Sequence, residues 1–385
     1  MSVTAAPGFV AGSVYAGIRR KPVPDLTVIR STGPSTGAAM FTTNQVQAAP
    51  VVVSKEHLGI AEPRAIVINS GVANAATGPR GELDAKATAV EAARLLGLDV
   101  EEVLVLSTGV IGVPLPLSSI RSGLSAIAPI LSPDGGPGAA EAIMTTDTRP
   151  KMSVAHFGDF TVGGMAKGSG MIHPALATML AVITTDYRLQ PGEAAEVLGP
   201  AVNKSFNRMT VDGECSTNDA VVLLSSGSPN PDVSRDDLEA AVDKVCSDLA
   251  RQIAEDGEGV TVILEIAVSG AVDDVEATAI ASRIATSSLV KTAAFGKDPN
   301  WGRVVAAAGS APVAGTFARV DIESLTVAFN GTKLLSCGRP TGADAEVNGP
   351  VLRIDLDLGL GLGQAAYLST DLSYDYVKIN AEYTT

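Results

Sequence analysis

Three cysteines and three histidines in 385 residues are too few, and too far apart, for a disulfide framework or a metal centre. Cys215, Cys246 and Cys337 form no CxxC pair, and His57, His156 and His173 are equally scattered. Aromatic residues make up only 4% and tryptophan occurs once, so alanine, valine, leucine and glycine do the packing, as in close-packed α/β layers. Positive charge is also in deficit: 28 basic against 42 acidic residues give a net charge of −14. That balance argues against a nucleic-acid partner and obliges any anionic substrate to find local positive charge. No uninterrupted apolar run reaches the roughly 18 residues of a membrane span. The N-terminus lacks the basic, apolar, small-residue order of a signal peptide. The expectation is a cytoplasmic protein of a reducing compartment, with neither membrane nor nucleic acid as partner.

What is present is an alternation of short strands and helices. Segments 9–10, 26–29, 38–41, 51–53 and 65–69 read as strands between glycines and prolines, and Asn69-Ser70-Gly71 punctuates the last of them. Leu83, Ala87, Val90, Ala93 and Leu96 lie near helical spacing and predict a helix over 82–96 that Gly97 stops. A strand at 103–106 runs into Ser107-Thr108-Gly109-Val110-Ile111-Gly112. Such a tip presents a hydroxyl and backbone N–H groups, the parts of an oxyanion hole, although most such turns are only turns. Segments 120–131 and 139–144 read as helices, Thr145-Thr146-Asp147-Thr148 as a helix cap or surface turn, and 160–166 as a strand. Met179-Leu180-Ala181-Val182-Ile183 is apolar throughout, which fits a strand buried on both faces. Helices are expected at 193–206, at 236–255 with Ser234 as cap, and at 273–292. Residues 207–213 read as a strand and turn and 260–268 as a strand. Strands dominate from 318 onward, with period two at 354–358, and the closing 376–385 reads as a docked tail.

The stretch with most chemical content is Lys167-Gly168-Ser169-Gly170-Met171-Ile172-His173-Pro174-Ala175-Leu176-Ala177-Thr178-Met179-Leu180. Its lysine precedes its glycines, the reverse of a phosphate loop. Gly359, Gly361 and Gly363 lack the spacing of a dinucleotide fingerprint. A Ser-His-Asp hydrolase would need a nucleophile elbow that is not there, and His173 is most simply a polar or core residue. Thr178 is then either a core residue or a nucleophile released by cutting at Ala177-Thr178. A threonine hydroxyl needs a base beside it. A new N-terminus supplies one on the same residue, since an α-amine has a reference pKa of about 7.7–8.0.

Several motifs together resemble the ornithine acetyltransferase family, the bifunctional glutamate N-acetyltransferases of arginine biosynthesis. They are the turn at 107–112, Thr145-Thr146-Asp147, Gly163-Gly164-Met165-Ala166-Lys167-Gly168, Ala177-Thr178-Met179-Leu180, Ser216-Thr217-Asn218-Asp219, Asp298-Pro299-Asn300-Trp301-Gly302-Arg303 and Ile379-Asn380-Ala381-Glu382-Tyr383. The resemblance implies a two-lobed α/β sandwich with the active site between lobes. It implies a precursor that cuts itself between Ala177 and Thr178 into an α chain, 1–177, and a β chain, 178–385, intertwined in one αβ unit. Thr178 becomes the nucleophile that carries acetyl from N-acetylornithine to glutamate, and Thr108 and Gly109 match the oxyanion pair. Thr145, Lys167, Thr178, Glu258, Asn380 and Thr385 match the amino-acid site. No metal or cofactor is implied, acetyl-CoA stays open as an alternative donor, and αβ units are expected to form a homo-oligomer.

The chain departs from the family's usual pattern at Val72 and Ala76, in Pro174-Ala175-Leu176, and at Thr210-Val211-Asp212-Gly213-Glu214-Cys215. None of these touches Thr178, but the first two bear on substrate choice. Competing readings are a self-cleaving N-terminal-nucleophile aminopeptidase, a paralogous acyltransferase of specialised metabolism, and a non-catalytic amino-acid-binding protein.

Overall fold

The computed structural model describes residues 2–173, 179–227 and 234–382. They fall into two compact units: residues up to Asn207 together with Glu214–Asp256, and Arg208–Gly213 together with residues from Gly257 onward.

In the first unit the chain runs through β1 (Phe9–Val14), β2 (Leu26–Ser31), β3 (Thr36–Phe41), α1 (Ala49–Leu58), β4 (Ala65–Val72), α2 (Gly78–Leu96), β5 (Val103–Val110), α3 (Leu117–Ile127) and α4 (Gly136–Ala142). It continues through β6 (Lys151–Phe157), β7 (Phe160–Lys167), β8 (Leu180–Thr185), α5 (Glu193–Lys204), β9 (Ala220–Ser225) and α6 (Arg235–Glu255). Among the described residues these strands form two sheets, ordered β1-β2-β4-β5 and β3-β9-β8-β7-β6.

Side chains alternate across a strand, and here both faces are apolar. Ile66, Ile68, Leu104 and Leu106 of β4 and β5 point at the second sheet, where Met165, Leu180, Val182, Ala220 and Val222 meet them. Their neighbours Ala65, Val67, Val103 and Val105 point the other way, onto Val53 of α1, Ala85, Ala89 and Ala92 of α2, and Ile120 and Leu124 of α3. On the far side of the second sheet, Val245 and Leu249 of α6 crowd Gly164 of β7. The layers are therefore helices, sheet, sheet, helices. Fully burying one such aliphatic side chain is worth about 1.5–3 kcal/mol, so a polar group on an inner face must be held by partners.

The second unit contains β10 (Ile263–Ala271), α7 (Asp274–Ala285), α8 (Ser288–Phe295), α9 (Trp301–Ala308), β11 (Pro312–Val313), β12 (Thr316–Phe317), β13 (Thr326–Phe329), β14 (Thr332–Ser336), β15 (Arg339–Pro340), β16 (Val351–Asp357), β17 (Gly363–Thr370) and α10 (Tyr374–Glu382). One sheet runs β15-β14-β13-β16-β10-β17, and β11 and β12 form a separate hairpin. Leu352, Ile354 and Leu356 of β16 are buried while Arg353 and Asp357 are exposed, so this sheet has one wet face. Ile280, Ala281 and Ile284 of α7 cover the apolar face.

Several expectations are corrected. Residues 51–53 are helical, not a strand. Pro50 starts α1 in its first turn, and the helix is locked to β5 by Ser54 Oγ on Val105 O (2.7 Å) and His57 Nδ1 on Val103 O (2.8 Å). The buried face of α2 is built from alanines, whereas Leu83 and Val90, expected in the core, are exposed. Gly97 ends that helix in the left-handed conformation, φ 65°, as expected. The helix expected over 273–292 is two helices, because Ser287 accepts the Val290 N–H and caps a fresh start at α8. The α-helix within 120–131 stops at Ile127 and passes into a 3-10 turn containing Pro129. Asn69-Ser70-Gly71 lies inside β4 rather than after it. Residues 206–208 form a 3-10 turn, leaving only a single bridge at Met209 where a strand was expected. Residues 374–382 form α10, in which no residue is buried, and the Tyr374 ring at its start meets the Phe295 ring edge-on at 5.2 Å.

Candidate active site

Thr108 lies on the same face of β5 as Leu104 and Leu106, and Lys167 on the same face of β7 as Met165. Both therefore point into the layer between the sheets of the first unit. There the Lys167 Nζ donates to Thr108 Oγ1 at 3.4 Å, with both residues buried. The next residue, Gly109, has φ +129°, and a Cβ on it would stand 2.3 Å from the Gly71 carbonyl carbon. Only glycine lets β4 and β5 come this close at the end of their pairing.

Lys167 is set in a buried ionic cluster. Asp147 Oδ1 accepts from Lys151 Nζ (2.6 Å) and from the Gly168 N–H (2.7 Å). Its Oδ2 accepts from the Thr145 N–H (2.9 Å) and lies 4.0 Å from Lys167 Nζ. Lys151 also donates to Asp256 Oδ2 at 2.5 Å. Asp256 takes the Thr148 N–H (3.0 Å) and the Thr148 hydroxyl, and its carbonyl accepts from Ser169 Oγ (2.7 Å). Burial alone would raise the Asp147 carboxyl, but the charges of Lys167 and Lys151, the Lys151 hydrogen bond and the Thr145 N–H outweigh it and hold it at about 2. Thr145-Thr146-Asp147-Thr148 is a bend with Thr148 exposed, as expected of a surface turn, but Asp147 is buried and turns the stretch inward. It anchors the end of β7, the start of β6 and the end of α6 to one another.

Of the residues singled out from the sequence, Thr108, Gly109, Thr145 and Lys167 are brought together in the first unit. Glu258 and Asn380 meet in the second, where Asn380 Nδ2 donates to Glu258 Oε2 at 2.8 Å and to Tyr376 O at 3.1 Å. Ala177, Thr178 and Thr385 lie outside the described residues. His173 is half-buried, and burial lowers its pKa against the pull of Glu214. Lys151 and Asp256 were not foreseen as site residues. They are 105 positions apart, and no local spacing couples them.

These features define a layered α/β sandwich with a buried lysine facing a Thr-Gly strand end inside its inter-sheet layer. Within that class the chain belongs to the ArgJ family, whose sequence model matches residues 10–385. It is 46% identical over 408 residues to the arginine biosynthesis bifunctional protein ArgJ of Synechococcus sp., covering 100% of this chain and 97% of that one. The protein of the same name from Mycolicibacterium paratuberculosis is 45% identical over 394 residues, with 100% and 96% covered. A crystal structure of ornithine acetyltransferase complexed with ornithine, from Mycobacterium tuberculosis, is 44% identical over 46% of this chain and 96% of that one, with a TM-score of 0.44.

Proposed function

We propose that this chain is a self-processing acetyltransferase that moves acetyl from N-acetylornithine to glutamate through an acetyl ester on Thr178. The observation that carries the reading is the meeting of Lys167 and Thr108 across the inter-sheet layer, in a chain whose family membership spans nearly its whole length.

In processing, the Thr178 hydroxyl attacks the Ala177 carbonyl carbon. The C–N bond to Thr178 breaks, its nitrogen takes the proton, and water opens the resulting ester. Residues 1–177 and 178–385 become the α and β chains. They stay together because β7 and β8, on opposite sides of the cut, are paired from Val162–Thr185 to Lys167–Leu180. The freed amine then serves as base to the hydroxyl of its own residue. Thr178 attacks the acetyl carbonyl of N-acetylornithine, and ornithine leaves with the proton. The glutamate amine attacks the ester, and the proton returns to the threonine oxygen. Thr108 and Gly109 hold the oxyanion of each tetrahedral intermediate. Lys167 holds the α-carboxylate of each amino acid, supplying local positive charge within an acidic chain. Glu258 and Asn380 bind the amino end.

Incubation with N-acetylornithine, with and without glutamate, tests the reading. Transfer gives acetylglutamate only when glutamate is present, whereas an aminopeptidase-like hydrolase gives acetate in both cases. Denaturing electrophoresis should show two bands, and Thr178→Ala should leave one. A single uncut species that still turned over would end the proposal.

A further inference from the structure

Beside the Lys167–Thr108 contact lies a second polar arrangement, at the start of β9, that the reaction above does not use. The Asn218 side-chain nitrogen donates to Ala73 O (2.7 Å) and to Ser107 O (2.9 Å), and its oxygen accepts from Thr217 Oγ1 (2.7 Å). Ser107 immediately precedes Thr108, and its hydroxyl is fixed in turn by Asn69 Oδ1 at 2.6 Å. The adjoining residue, Asp219, is fully buried. Its Oδ1 accepts the Met179 N–H at 2.9 Å, while its Oδ2 is buried without a hydrogen-bond partner among the described residues. Burial drives this carboxyl well above the ordinary range, against the opposing pull of the Met179 N–H and the Lys167 charge.

Two consecutive residues thus grip two strands of different sheets: Asn218 holds the end of β5, and Asp219 holds the residue that enters β8. We propose that Asn218 and Asp219 are positioning residues that set the oxyanion strand end, Ser107–Gly109, against the chain at Thr178. The Met179 N–H belongs to the planar peptide unit that joins Met179 to Thr178, so fixing it restrains the nucleophile's backbone. Neither residue has to touch substrate. The inference rests on Thr178 being the nucleophile, and it concerns both reactions of that residue, self-cleavage and transfer. A displacement of about 1 Å in such an arrangement costs on the order of 10²-fold in rate.

The test uses the full chain and the variants Asn218→Ala, Asp219→Ala and Asp219→Asn. Readouts are the time course of self-cleavage on denaturing gels, kcat and KM for N-acetylornithine and glutamate, the pH profile of kcat, and thermal unfolding. The two alanine variants should cut slowly and lose about 10²-fold in kcat, with KM little changed. Asp219→Asn keeps an acceptor oxygen for the Met179 N–H, so it should regain at least about tenfold over Asp219→Ala and keep the wild-type pH profile. Folded alanine variants that cut and turn over at the wild-type rate overturn the proposal. So does an asparagine variant as impaired as the alanine, or one with a shifted pH profile, since either assigns Asp219 a proton-transfer role instead. If the alanine variants do not fold, Asp219→Asn decides alone by its rate and its pH profile. Wild-type protein that neither cuts nor transfers overturns the underlying Thr178 reading and the clamp with it. Active wild type with unaffected variants overturns the clamp alone.

Discussion

Lys167 and Thr108 meet because each points inward from a different sheet, and their tips, Nζ and Oγ1, come within 3.4 Å. Replacing Lys167 by methionine keeps the length and apolar stem of the side chain but removes the charge that pairs with Asp147 and the donor to Thr108. A hydrogen bond to a charged group contributes about 1.5–3 kcal/mol. Steady-state kinetics on Lys167→Met should show kcat/KM lowered by about 10- to 100-fold for both amino acids. Unchanged KM and kcat in a folded variant would remove Lys167 from the substrate site.

Gly109 offers a sharper steric test. Alanine there puts a Cβ 2.3 Å from the Gly71 carbonyl carbon, at a φ of +129° that side chains avoid. The clash is with backbone, so relief requires β5 to shift at the point where Thr108 sits. Gly109→Ala should lose about 10²–10³-fold in kcat, the range seen when an oxyanion donor is displaced. The measurement is kcat beside the melting temperature, and a variant that keeps its full kcat would show that this strand end does not touch the reaction.

Asp147 makes stability depend on acid. Its carboxyl is held at about 2 in the folded chain, below its ordinary 3.8. The unfolded chain therefore binds the proton more tightly, and stability falls as pH drops from 3.8 towards 2, having been complete above that window. The loss amounts to about 2 kcal/mol. Urea unfolding measured from pH 6 down to pH 2 should show this decline in the wild type. Asp147→Asn should start from a lower stability and lack that component of the slope.

How much of this was legible beforehand depended on whether the signal was local. The helix at 236–255 and the strands at 160–166 and 179–183 were readable because periodicity or continuous apolarity ran their full length, and Ser234 and Gly97 marked ends with their own side-chain or backbone chemistry. The spacing places Ala93 and Leu96 of α2 correctly on the buried face but not Leu83 and Val90, which are exposed. The structure instead packs Ala85, Ala89 and Ala92, whose small side chains let the helix lie close to the sheet. Three consecutive valines at 51–53 carried a strand preference that Pro50 and the bonds of Ser54 and His57 to β5 overrode. In the site, Thr108, Gly109 and Lys167 stood in recognisable strand ends. The cluster that seats Lys167 joins Asp147 and Lys151 to Asp256, and only the folded sheets bring those residues together.

The tail separates activity from stability most cleanly. No residue of α10 is buried, and its Asn380 reaches Glu258 in an exposed hydrogen bond of 2.8 Å. Exposed polar contacts contribute about 0–1 kcal/mol, so removing residues 380–385 should leave the melting temperature within a few degrees of wild type. If Asn380 and Thr385 bind the amino acid, the same truncation should cut kcat/KM by about 10²-fold or more. Asn380→Ala alone should reproduce part of that loss by freeing the Glu258 carboxylate. A folded, truncated chain that turns over N-acetylornithine at the wild-type rate would take the tail out of the reaction and leave Glu258 without its partner's role.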